Sequence, residues 1–128
     1  VDLPGYGYSK MSKSEEIEIS NWINHYLVNR HNISLLIHVL DIRHKPTEKD
    51  IHMFNFILKS NLPFIVILNK ADKLKTKEIE KNVEEIKNIL GISFSPIFPY
   101  SSSFKGDKLE EFKKPILEEV NKILLGKI

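Results

Sequence analysis

The chain has 128 residues, enough for one ordinary domain with a single packed core, and 41% of them are apolar. There is no cysteine, which excludes disulfides and cysteine-ligated zinc, and no run approaches the ~20 apolar residues of a membrane span. Net charge is +2, and all but Arg30 and Arg43 of the 19 basic residues are lysine. Lys70, Lys73, Lys75 and Lys77 cluster; we read them as a solvated face rather than an RNA contact.

Strands and helices alternate along the chain. The opening stretch VDLPGYG, residues 1–7, has the look of a strand end followed by a tight turn. Ile19, Trp22, Ile23, Tyr26 and Leu27 then fall on one helical face, with Ser12 and Glu15 as its capping box. Residues 33–40 (ISLLIHVL) form an apolar run ending at Asp41, which predicts a buried strand. Thr47 with Asp50 caps a second helix carrying Ile51, Phe54 and Leu58. Residues 64–68 (FIVIL) predict a second buried strand, and Ile79, Val83, Ile86 and Leu90 a third helix stopped by Gly91. A weaker third strand lies within residues 94–100, shortened by Pro96 and Pro99. Leu109, Phe112, Ile116, Val120 and Ile123 make a last helix, in which Pro115 predicts a kink or a break.

Doubly apolar strands separated by amphipathic helices imply an α/β fold: a three-layer, doubly wound, mostly parallel sheet covered on both faces. Such sheets hold ligands at the carboxyl ends of their strands. Four stretches are therefore of interest: Asp2 to Gly7, Asp41 to Thr47, Asn69 to Asp72, and Ser101 to Lys105.

Asn69-Lys70-Ala71-Asp72, directly after FIVIL, suits a guanine base. The Asp72 carboxylate can accept parallel hydrogen bonds from the guanine N1–H and 2-amino group, a donor pair that adenine lacks. The Lys70 stem can pack along the base plane, and Asn69 can bond N7 and tie neighbouring loops together. Backbone N–H groups of Ser102, Ser103 and Phe104, in the loop after the third strand, can reach the guanine O6. At the N-terminus, Asp2 suits a magnesium ion, directly or through water. Gly5 would let its backbone N–H approach the terminal phosphate of GTP, where a Cβ would obstruct. The loop from Tyr6 to Lys13 would respond to that phosphate. Each motif alone is weak; the three in this order, each at a strand end, are specific. The five histidines show no metal-ligand spacing.

These residues carry a resemblance. Residues 2–10 (DLPGYGYSK), 41–50 (DIRHKPTEKD), 63–74 (PFIVILNKADKL) and 102–112 (SSFKGDKLEEF) are similar to the EngB family of translational-type (TrmE-Era-EngA-EngB-Septin-like) GTPases, over essentially the whole chain. The resemblance implies a G domain of P-loop GTPase type, a slow GTPase using GTP, GDP and magnesium, with potassium as an accessory ion, and a role in assembly of the large ribosomal subunit. The implied partner is a ribosomal particle or its rRNA, with no membrane. The compartment would be the cytoplasm in a bacterium, or a mitochondrion or plastid in a eukaryote. Tyr6 stands where Ras-like proteins have the glutamine that orients the attacking water.

Two departures from the family pattern stand out. The P-loop GxxxxGK[ST] and the threonine-bearing switch I segment are absent, so residues 1–128 read as a single partial G domain holding the third to fifth GTPase motifs. As it stands, the chain is expected to bind nucleotide weakly and hydrolyse almost none. Lys108 replaces a glycine usual in the last loop. Without the P-loop strand, residues 33–40 would have an unpaired edge, predicting a dimer through that edge or a shift of the first helix over it. Two other readings of such a sheet are a non-catalytic GTPase-like module binding RNA or protein, and a flavodoxin- or phosphatase-type enzyme; the ordered guanine motifs weigh against the last.

Overall fold

The computed structural model describes residues 12–29, 32–92 and 96–126. Its elements run α1 (Lys13–Asn29), β1 (Leu36–Asp41), α2 (Glu48–Lys59), β2 (Phe64–Asn69), a 3-10 turn (Ala71–Lys73), α3 (Thr76–Leu90), β3 (Ile97–Pro99) and α4 (Gly106–Leu125). The strands form one parallel sheet in the order β1-β2-β3, with Leu36 opposite Phe64, Asp41 opposite Asn69, and Val66 opposite Ile97. This is the mixed α/β architecture, with a parallel sheet, expected from the alternation of strands and helices. Asp2, Gly5 and residues 6–11 lie outside the described residues, as does the start of the expected third strand at Phe94.

Local chemistry sets the helix ends. The Ser12 hydroxyl accepts from the Glu15 backbone N–H at 3.2 Å, opening α1. At α2 the box is complete: Thr47 Oγ1 accepts from the Asp50 N–H at 3.2 Å, and Asp50 Oδ2 accepts from the Thr47 N–H at 2.8 Å. α3 ends at Gly91, whose φ of 73° turns the chain so that the Ile92 N–H donates back to the Lys87 carbonyl at 2.9 Å. The expected kink or break at Pro115 is not a break: α4 continues through it to Leu125. Pro115 and Glu111 are both exposed, so the carbonyl that loses its partner opens to solvent instead of the core.

The main core joins Leu40 and Ile42, Val66 and Leu68, Ile97, and Phe54 of α2 with Ile79, Ile86 and Leu90 of α3. A second cluster packs Ile23 and Leu27 of α1 against Met53 and Ile57 of α2, with Leu36 and Phe64 at its edge. α1 therefore sits beside α2. Trp22, expected on its buried face, is instead 48% exposed and stacks on Tyr26 at 5.4 Å.

Cover on the second face is uneven among the described residues: Ile65 of β2, opposite Ile37, is 1% exposed, whereas β1 is more open. On β1, His38 and Leu40 point to the core while Ile37 and Val39, on the other face, are 57% and 54% exposed. β1 is the edge strand of the described sheet.

Candidate functional site

The C-terminal ends of the three strands bring Asp41, Asn69 to Asp72 and Ser101 to Phe104 to one rim of the sheet. β1 and β2 finish together: beyond the Asp41–Asn69 pair, the Ile42 N–H donates to the Asn69 carbonyl at 3.0 Å. The Ile42 carbonyl in turn accepts from Asn82 Nδ2 at 2.9 Å, fixing the loop to α3. On the other side, the Tyr100 N–H donates to the Leu68 carbonyl at 2.8 Å and the Tyr100 carbonyl accepts from the Ala71 N–H at 3.0 Å.

Between these two anchors the chain must turn sharply. Lys70 makes the turn in the left-handed region, φ 68° and ψ 27°. Ala71 is fully buried beneath it, and the 3-10 turn closes as the Lys73 N–H donates to the Lys70 carbonyl at 3.1 Å. That turn presents Asp72 toward the β3 loop. Asp72 Oδ1 accepts from the Ser101 hydroxyl at 2.6 Å, and Oδ2 lies 3.6 Å from Lys73 Nζ. The Ser101 bond, followed by the Lys73 charge, holds the Asp72 carboxyl below its ordinary range, so it stays an ionised acceptor.

Ser101 is 2% exposed and organises its whole loop. Its Oγ accepts from the Ser103 N–H at 3.0 Å, and its carbonyl accepts from the Phe104 N–H at 3.2 Å. Two of the three amides expected to face a ligand are thus used inside the turn, because a Ser-rich loop closes on its own hydroxyl and carbonyl. Ser102 is exposed and makes no hydrogen bond among the described residues. The Phe104 ring belongs to the core, 5% exposed and 4.8 Å from the Phe112 ring. Lys108, where the family pattern has glycine, places its ammonium 5.2 Å above the Phe104 ring.

Asp41 opened one of the stretches of interest but was given no contact of its own, yet its carboxylate is the most heavily bonded on this rim. Oδ1 accepts from the Arg43 backbone N–H at 2.9 Å and from Arg43 Nε at 3.0 Å, and Oδ2 from Arg43 Nη2 at 2.7 Å. Lys70 Nζ lies 3.6 Å from the same Oδ2 and His44 Nε2 4.0 Å away. The Arg43 side-chain bonds hold Asp41 down to about 2, burial working against them. Ser101 likewise stood in a stretch of interest, but the ligand contacts were expected from Ser102, Ser103 and Phe104. The signal for both was positional: Asp41 closes β1, and Ser101 lies two residues beyond the end of β3. A small cavity of about 120 Å³ opens beside Asp41, against His44, Pro46 and Thr47.

Among the described residues no cluster of three or more His, Cys, Asp or Glu could hold a metal ion, and no helix is long and apolar enough to cross a membrane. Asp2, the expected magnesium ligand, lies outside the described residues.

Residues 1–116 match the family model FeoB_N, described as ferrous iron transport protein B. Individual relatives carry another description. A probable GTP-binding protein EngB of Finegoldia magna is 42% identical over 125 residues, spanning 97% of this chain and 60% of that protein. The probable EngB of Streptococcus pyogenes serotype M18 is 37% identical over 120 residues, 94% of this chain and 60% of that protein. A crystal structure of a probable GTP-binding protein engB superposes with a TM-score of 0.75 at 25% identity, covering 94% of this chain and 75% of that one. Elongation factor SelB from Methanococcus maripaludis gives 0.66, also at 25% identity, over 94% of this chain and 24% of that one. The chain spans about three-fifths of the length of the curated relatives it matches. It belongs to the family that the FeoB_N model describes, and it is a GTPase-family member of the EngB type.

Proposed function

We propose that this chain carries the base-reading part of a guanine-nucleotide site, with Asp72 as the residue that selects guanine. The observation that carries the reading is the Asp72–Ser101 bond of 2.6 Å at the rim of the sheet. A carboxylate oxygen has two acceptor positions, so Oδ1 can keep Ser101 while the pair Oδ1 and Oδ2 takes the N1–H and 2-amino group of guanine. Lys70 supplies its stem to the base plane, Asn69 bonds N7, and the exposed Ser102 offers an amide toward O6. Asp2 would hold magnesium and Gly5 would approach the terminal phosphate; the metal would neutralise charge on the phosphate oxygens. In the whole protein we assign slow GTP hydrolysis, with a ribosomal particle or potassium supplying what Tyr6 does not, in assembly of the large ribosomal subunit. The names of the relatives and the resemblance of residues 2–10 and 41–50 support this. Ferrous iron is said only of the proteins for which the family model is named.

The test is a titration with fluorescent GDP in magnesium, competed by GTP and by ATP, on residues 1–128 and on the longer protein. Guanine preference is expected in both, with affinity for the shorter chain weaker than about 10 μM, or roughly 7 kcal/mol of binding. Asp72→Asn exchanges an acceptor for a donor and should move preference from guanine toward xanthine nucleotides by roughly one to two orders of magnitude. Equal competition by ATP, or an unchanged preference in Asp72→Asn, would sink the assignment.

A further inference from the structure

We propose that Asp41 is a positioning residue that holds the Lys70 ammonium at the end of β1 and so keeps this cation off the base-reading carboxylate of Asp72. The inference rests on the reading of Asp72 given above, and it follows from how the turn after β2 is tied. Lys70 and Asp72 are two residues apart, yet their side chains are bonded to opposite neighbours. Lys70 Nζ goes to Asp41 Oδ2 on β1, at 3.6 Å; Asp72 goes to Ser101 beyond β3, at 2.6 Å. β2 lies between these two strands, so the two side chains part across its end.

The separation has a physical reason to be needed. Lys70 is 52% exposed and Asp72 partly so, and each carries a full charge. Left to itself, a lysine two residues from an accessible carboxylate would pair with it. Lys73 already lies 3.6 Å from Asp72 Oδ2. A second ammonium there would compete with the guanine donors for the same oxygens. Asp41 offers a better-built alternative: its side chain is only 8% exposed, and it is locked in place by the backbone and guanidinium of Arg43. An immobile carboxylate restrains its lysine with little loss of its own freedom. The left-handed backbone of Lys70 is pinned on both sides, by the bond into the Asn69 carbonyl and the bond from the Ala71 N–H, so its side chain leaves the turn in a fixed direction.

Asp41→Asn keeps the acceptor for the Arg43 N–H and removes the charge. The decisive measurement follows the Asp72 carboxyl carbon by NMR through an acid titration of the nucleotide-free chain. In Asp41→Asn, Lys70 should swing toward Asp72 and Asp72 should titrate lower than in the parent. Adding Lys70→Met should return it to the parent value. Overlapping Asp72 titrations in parent and Asp41→Asn would overturn the proposal whatever the protein binds. The companion measurement is nucleotide affinity, in which Asp41→Asn should weaken GDP about three- to fivefold. Its guanine-over-xanthine ratio should fall as well, since the guanine N1–H and 2-amino group then compete with the Lys70 ammonium for the Asp72 oxygens. Failure of the parent to bind guanine nucleotides would sink the functional reading and leave the NMR result to decide the role of Asp41.

Discussion

Lys70 sits at φ 68°, where a side chain with a Cβ costs roughly 1 kcal/mol or more, and β-branching makes it worse. Asparagine tolerates this conformation. Lys70→Asn and Lys70→Val remove the same charge but should differ by about 1–2 kcal/mol in unfolding free energy, valine being the poorer. Equal urea midpoints would mean that the turn relaxes. His38 is a second residue whose surroundings dictate a measurable outcome. It is 4% exposed, its ring 6.3 Å from that of Phe54, and burial lowers it from 6.5 to about 4 against the opposing pull of Asp50. A base held below its unfolded value binds fewer protons folded than unfolded between those two pH values. Stability is therefore intact above about pH 6.5 and lost as pH falls toward 4, by on the order of 3 kcal/mol at most. Asp41, depressed to about 2, acts with the same sign at lower pH, so the two windows do not overlap. Urea midpoints should fall between pH 7 and 4.5 in the parent and flatten in His38→Leu. A flat parent would contradict the buried neutral imidazole.

At the scale of elements, short-range chemistry was the most legible. The Thr47–Asp50 box and the Gly91 stop both stand where the sequence put them, because each depends on residues within a turn of one another. Gly91 gives a clean test, since a Cβ added there would meet nothing within 4 Å. Gly91→Ala should cost about 1 kcal/mol through backbone conformation alone, and a larger loss in thermal unfolding would reveal crowding. Long-range facts were less legible. β1 begins at Leu36 and not at Ile33, because pairing starts where the partner strand does, with the Leu36 N–H donating to the Pro63 carbonyl at 2.9 Å. Apolarity upstream carries no mark of that. Asn69, Lys70 and Asp72 were legible as a motif. The Ser101 bond that aims Asp72 spans 29 positions, and the Asp41 carboxylate meets Lys70 only through strand pairing. Phe104 looked like part of the loop's ligand face, and only the fold reveals its place among Phe112 and the core.

At the scale of the whole molecule, the exposed side of β1 dominates expected behaviour. In a parallel ladder alternate residues bond to the same neighbour. Leu36 and Ile42 donate toward β2 and its flanks, so the backbone groups of Ile37, Val39 and Asp41 face the edge that no described strand pairs. The side chains of Ile37 and Val39 are also more than half exposed. α1 does not cover them, since Ile23 and Leu27 pack against α2. Two copies can meet across a two-fold axis at His38, antiparallel, so that Ile37 of each pairs with Val39 of the other. Their outward N–H and C=O groups would satisfy one another, and the four side chains would form one apolar patch. Residues 1–128 should accordingly self-associate through this edge. Lysine is a residue that edge strands use against such pairing, so Val39→Lys should yield monomers under conditions where the parent is dimeric. Light scattering across a concentration series distinguishes the cases. A parent that stays monomeric to about 100 μM would mean that this edge, unpaired among the described residues and apolar, is too short at six residues to hold a second copy.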